Sequence, residues 1–298
     1  LATVFFLLPT ALIAAQLAIC AKDEGGIYAW AKTAFGSRTG ALAIWLQWIN
    51  TMVWFPSILA FIAATGGYLI APNLVHEPAL LLAVCLIIFW LVTLLNLFGL
   101  KIAAWFATAC TFLGMLLPMA LIILLGIFWL TSGAARNLHF TQHNIWPHLN
   151  HIGGWVGLTG IMAGFLGIEL TNVHTRDLKN PAKLFPRALS IAVGIIVITM
   201  IGGALAIAIV LPEQKISLVA GIMQALRTML QAHHMSALLP IVSVLIVLGS
   251  IGKLVNWLIS PAKGLMQAAE DEFMPKTLAK CNKYNMPTKI LLLQAVVV

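Results

Sequence analysis

The sequence predicts an all-helical, multi-pass membrane protein, and three observations carry that reading. Hydrophobic residues make up 61% of the 298 and charged residues only 9%, against about 25% charged in an ordinary soluble domain. Apolar runs of roughly 20 residues, the length a helix needs to cross a bilayer, recur along the chain. The basic residues collect in alternate connections between those runs. Barrel strands are excluded, because the runs lack alternation over about ten residues.

Seven runs stand out, at about 1–20, 41–70, 78–99, 103–131, 154–173, 186–211 and 236–260. One set of alternate segments holds Lys22, Lys32, Arg38, Lys101, Arg176, Lys179, Lys183, Arg187, Lys263, Lys276, Lys280, Lys283 and Lys289. The other holds only Arg136, Lys215 and Arg227, while Lys253 falls inside a run. Basic connections stay cytoplasmic, so the first set is expected inside. The net charge of +8 therefore reads as topology, and no basic face interleaved with aromatics suggests nucleic acid. No basic residue precedes the first run, so it is a poor signal peptide. Ile19 stands where a lipoprotein box over 17–20 needs a small residue. With 22–40 inside, Leu1 is expected on the outer side. The run 290–298 stops after nine residues, less than half a span, and no initiator Met is present. The chain is thus expected to be a piece of a larger protein. Cys20, Cys85, Cys110 and Cys281 are scattered without C-x-x-C or Cys/His pairing, so neither a metal site nor a disulfide framework is expected.

Chemistry concentrates in two stretches. In 164–181, GFLGIELTNVHTRDLKNP, Glu169 stands inside an apolar run. Glycines at 153, 157, 160, 164 and 167 draw a stripe down one helix face. Gly153, Gly157 and Gly160 are expected to pack closely against another helix. Gly164 and Gly167 bracket Phe165 just before the carboxylate. Each glycine costs a helix up to about 1 kcal/mol relative to alanine, which predicts local unwinding there. Unwound backbone at membrane depth is tolerated where it lines a cavity or site. A carboxylate within a membrane faces a cavity or a partner and marks function by default; the alternative is a helix-end Glu169 paired with Arg176.

The second stretch is 249–264, GSIGKLVNWLISPAKG. Lys253, Asn256, Trp257 and Ser260 share one face of a helix otherwise made of Ile, Leu and Val. Lys253 either serves a site or snorkels to the inner surface, and the ten residues to Lys263 weigh against snorkelling. In 41–70, Gln47, Trp48, Asn50 and Trp54 precede Pro56 and read foremost as helix-packing groups. His139, His143, His148 and His151 lie in an outer loop, spaced unlike any zinc motif.

These segments, in this order, resemble the amino acid–polyamine–organocation transporters, and within them the bacterial glutamate/GABA antiporters. The resemblance rests on Glu24 to Trp30 (EGGIYAW), on Gly167-Ile168-Glu169 with Asn180-Pro181, and on Ser217 to Gln224 (SLVAGIMQ). Trp257 to Gly264 and Asn282 to Pro287 (NKYNMP) complete it. It implies an inverted repeat of five helices plus five, of the LeuT type, with the first helix of each repeat broken at the substrate site. The chain would supply the second to eighth helices and the start of the ninth, as one incomplete transporter domain. Residues 1–131 would be the remainder of the first repeat and 154–298 part of the second.

The implied activity is exchange of external glutamate for internal GABA across a bacterial inner membrane, consuming a proton and supporting acid resistance. The partners implied are small amino acids and the lipid bilayer. By position, Gly164, Phe165, Gly167, Ile168 and Glu169 would sit in or beside the substrate cavity, lined from the eighth helix by Trp257. Glu169, Lys253, Asn256 and Ser260 would serve ion or proton coupling, Lys253 replacing the ion that related sodium-coupled transporters hold between the first and eighth helices. The family's first helix and its pH-gating C-terminal segment have no counterpart here, so a second polypeptide supplying helices, or an inactive fragment, is a further expectation. Alone, the chain is expected not to transport. Another amino acid or polyamine permease of the superfamily is the alternative. A membrane enzyme would need a nucleophile–base pair or metal spacing, and none is found.

The topology is testable at Cys281, which is expected inside. In cells where it is the sole cysteine, an impermeant maleimide added outside should leave it unlabelled until the membrane is broken. Labelling of intact cells would reverse the orientation.

Overall fold

A computed structural model describes residues 2–20, 26–70, 77–133, 136–138, 150–170, 180–212, 216–217 and 221–298. Every regular element among them is helical: α1 (Leu8–Cys20, entered by a π turn, Thr3–Leu7), α2 (Ile27–Phe35), α3 (Ser37–Ile70) and α4 (Pro78–Leu97). They are followed by α5 (Leu100–Thr111), α6 (Leu117–Thr131), α7 (Ile152–Gly164), α8 (Pro181–Val210), α9 (Gly221–Ala232), α10 (Leu239–Glu270) and α11 (Thr288–Val297). Pro78, Pro181 and Pro240 open their helices, where a missing N–H costs nothing. Five stretches are long and apolar enough to cross a membrane: Ser37–Gly67, Ala79–Leu97, Leu100–Thr131, Ala182–Val210 and Ser236–Glu270. The other two runs read from the sequence form shorter helices, Thr3–Ile19 and Ile152–Gly164.

α10 is the central element and packs against α3, α4, α5 and α6, with α2 and α11 beside its final turns. α8 organises a second group with α1, α6 and α9. The tightest crossing joins α10 to the π turn Phe112–Leu116, which links α5 to α6. There Gly114 lies against Leu245 and Gly249, and a Cβ on either glycine would overlap the other's backbone. One turn on, Gly252 meets Cys110 and the carbonyl of Ala107. Small residues let membrane helices approach to backbone contact, and here they fix the height of α10 in the bundle.

Contacts also sort the connections by end. At one end the Lys32 ammonium lies 2.5 Å from Asp271, and Asn282 donates from Nδ2 to the Leu97 carbonyl at 2.8 Å. At the other, Asn137 caps α8 through the Val210 carbonyl (2.9 Å), and the His233 ring sits 4.4 Å from that of Phe128. The first end gathers 26–40, 97–101 and 271–289, all from the lysine-rich set of connections. The NKYNMP motif is a clasp: the Asn282 carboxamide oxygen also accepts from the N–H groups of Tyr284 and Met286.

Asp271 receives the Tyr28 hydroxyl as well as the Lys32 ammonium. The Lys32 bond, then the Tyr28 bond, hold its carboxyl below the usual carboxylate range. Burial, reinforced by Asp271, pushes the Tyr28 phenol far up. A depressed carboxyl stabilises the fold above its unfolded pKa and loses that contribution as pH falls through the folded value. Mild acid should therefore leave this tie between α2 and α10 intact.

Two outcomes follow. Gly249→Val should lower the unfolding temperature by overpacking, a cost of about 1–3 kcal/mol or more, whereas the same change at Gly66, which faces open space, should cost far less. Asp271→Asn should lower it at pH 7 and progressively less below about pH 4, read by unfolding scans in detergent across pH.

Candidate functional site

The run 154–173 breaks where its glycines predict. α7 ends at Gly164, residues 165–168 form successive turns, and Glu169–Leu170 form a short 3-10 turn. Gly167 has φ +110°, a conformation that glycine adopts freely. Its N–H is received by the Glu169 carboxylate, at 3.1 and 3.0 Å to the two oxygens. Ser260 donates to the Leu170 carbonyl at 3.2 Å, tying the break to α10. Phe165 and Ile168 turn the other way, buried with Leu7 of the entering π turn, Ala11 of α1, and Leu189 and Val193 of α8. They anchor the break.

The polar face of α10 faces the break across a cavity of about 240 Å³. Lys253, Asn256, Trp257 and Ser260 line it from α10, Gly167 and Leu170 from the break, and Thr111 and Met115 from the π-turn region. Lys253 and Asn256 are exposed along this opening. Trp54 of α3 stacks on Trp257 with centroids 4.8 Å apart, and the Lys253 ammonium sits over the Trp54 ring at 5.2 Å. The Trp257 ring in turn presses on Gly167, where a Cβ would come within 2.8 Å of it. Pro261 has no N–H to offer the carbonyl four residues back, so the carbonyl of Trp257, a cavity-lining residue, lacks its usual helical donor. The arrangement thus offers one cation, one amide, hydroxyls and that carbonyl.

Of the residues singled out in the sequence, Gly167, Lys253, Asn256, Trp257 and Ser260 come together here. Glu169 lies to one side, in a narrow gap shared with Ile27, Gln47 and Ser260. A Cβ built on Gly164 would lie 3.3 Å from the Met200 methyl. Gly153, Gly157 and Gly160 do not make the close packing expected: no described atom lies within 4 Å of a Cβ built on them. Trp54, read first as packing, joins the site, while Trp48 is half-buried and its buried indole N–H has no hydrogen-bond partner among the described residues. Thr111 and Met115 were missed, because a π turn is a shift of hydrogen-bond register without a residue signature. Arg176, the alternative partner of Glu169, and His139, His143 and His148 lie outside the described residues. His151 is exposed just before α7. No metal-binding group of side chains occurs among the described residues.

A broken membrane helix set against a polar helix face across a cavity defines a multi-pass membrane transporter. The chain belongs to the amino acid permease family, whose model matches residues 1–298. It is 38% identical over 297 residues to an uncharacterized transporter of Legionella pneumophila, covering 99% of this chain and 64% of the relative. It is 27% identical over 295 residues to a glutamate/gamma-aminobutyrate antiporter of Lactococcus lactis subsp. cremoris, covering 98% and 59%. A probable agmatine/putrescine antiporter of Lactococcus lactis subsp. lactis is 26% identical over 285 residues, covering 93% and 58%. The chain spans less than two thirds of the length of each.

Gly167→Ala should disturb the site most per atom added, since it meets both a left-handed φ and the Trp257 ring. Trp fluorescence should report the displaced Trp257. At Glu169, Ala should loosen the break more than Gln, which keeps an oxygen for the Gly167 N–H; limited proteolysis around 164–170 should rank them so. Equal cleavage of both variants would remove the capping role.

Proposed function

We propose that the chain is the substrate-handling part of an amino-acid antiporter exchanging external glutamate for internal GABA, with a proton consumed and acid resistance supported. The two-repeat division at 1–131 and 154–298 belongs to the same proposal. The observation that carries it is electrostatic. Lys253 is the one charged side chain among the described residues lining the cavity, and it suits a substrate carboxylate. The Trp257 carbonyl and the backbone of the break suit the substrate amine. Glu169 caps Gly167 and in this reading takes up the coupled proton, which would weaken that cap. A diamine such as agmatine or putrescine would meet a cation here without a facing carboxylate among the described lining residues, which favours glutamate and GABA over the polyamine reading. An unpaired charge in such a site is costly.

Lys253, with Asn256 and Ser260 on the same face, supplies a tethered positive charge. Exchange by the protein should accordingly be indifferent to sodium. In proteoliposomes holding an intact form of the antiporter, labelled glutamate should enter vesicles loaded with GABA faster than empty ones, equally with sodium or choline outside. Uptake driven by internal agmatine or putrescine but not by GABA would overturn the substrate reading. Sodium-stimulated exchange would overturn the role of Lys253. Glu169→Gln should flatten the pH profile of exchange, and an unchanged profile would return Glu169 to a purely structural part.

A further inference from the structure

A second cavity, of about 230 Å³, adjoins the polar one, and the two share Met115, Gly249 and Lys253. Its walls are apolar: Ile58 and Phe61 of α3, Met119 and Ile122 of α6, Ile222 of α9 and Ile246 of α10. Ile246 precedes Lys253 by seven residues, about 10 Å of helix rise. The cavity therefore extends from Lys253 toward the end of the bundle where α9 sits. Ser250 is the other polar side chain among the described residues lining it, and its hydroxyl hydrogen is already given to the Ile246 carbonyl at 2.9 Å. The space is thus greasy along its length and positively charged at one end.

That combination selects a ligand. A second charge on the ligand would be buried among Ile, Phe and Met without a partner, which is costly. An uncharged tail gains from each methylene buried. A carboxylate at the Lys253 end meets the one cation among the described residues lining the space. At about 30 Å³ per non-hydrogen atom, the volume holds a chain of roughly six carbons.

We propose that this cavity is a binding site for an unbranched aliphatic monocarboxylate, its carboxylate on Lys253 and its tail running toward α9. An anion seated there engages the cation that the polar cavity also uses, so occupation of the one site competes with anion binding in the other. The proposal needs only the cavity and Lys253, and stands apart from the identity of the exchanged pair.

The test is ligand-induced thermal stabilisation of the purified chain in detergent, with acetate, butanoate, hexanoate and octanoate as probes. Apparent affinity should rise about fourfold per methylene up to hexanoate and then level off. Hexylamine and hexanol, which share the tail but not the charge, should stabilise far less. Lys253→Met should abolish the preference for hexanoate over hexanol. Phe61→Ala should enlarge the cavity and move the plateau to octanoate, a gain that mere misfolding cannot produce. Equal stabilisation by hexanol, hexylamine and hexanoate would mean lipid-like partitioning and would overturn the proposal, as would an affinity independent of chain length. Glutamate uptake by an intact form of the antiporter, measured alongside, separates the two readings: hexanoate binding without exchange sinks only the transport reading, and exchange without hexanoate binding sinks only this one.

Discussion

The structure depends on one constraint: a peptide group inside a bilayer has no water to bond, so any broken helix must be satisfied from within the protein. The break at 164–170 meets it locally. Glu169 reaches back to the Gly167 N–H, and Ser260 reaches across to the Leu170 carbonyl. A carboxylate and a hydroxyl in otherwise apolar helices are explained by this before any ligand is considered. Trp257 completes the arrangement by filling the space that a side chain at 167 would occupy.

From that break the rest of the site follows outward. Ser260 fixes which face of α10 looks at the break, and residues three, four and seven positions earlier are brought to the same side. Trp54 then bridges Trp257 and Lys253, an aromatic surface that holds an ammonium group by its ring quadrupole. The chemistry of the cavity is thereby set by three helices that are far apart in the chain and share few local features.

Much of this was legible in the residues. Apolar run length gave the helices, and the distribution of lysine gave connections that do gather at a common end. The Gly-Phe-Leu-Gly spacing located the break, and the i, i+3, i+4, i+7 spacing from Lys253 located the facing helix. What was not legible depended on tertiary geometry. Phe165 and Ile168 neighbour Gly167 in sequence, yet point into a core with α1 and α8, since a turn of unknown hand hides the direction of its side chains. Trp54 lies some two hundred residues from its stacking partner, and nothing near it marks the pairing. The stripe of Gly153, Gly157 and Gly160 has the periodicity of a packing face, but periodicity names no partner, and among the described residues none touches it.

The meeting of Gly114 with Gly249 sets the kinematics of the bundle. With backbone on backbone and no side chain between, this point resists sliding of α10: a shift of one residue would bring the side chain of Leu248 or Ser250 to where only a hydrogen fits. A motion of α10 that keeps this contact is therefore a rocking about it, with displacements of opposite sense at its Lys253 turn on one side and its Ile246 turn on the other.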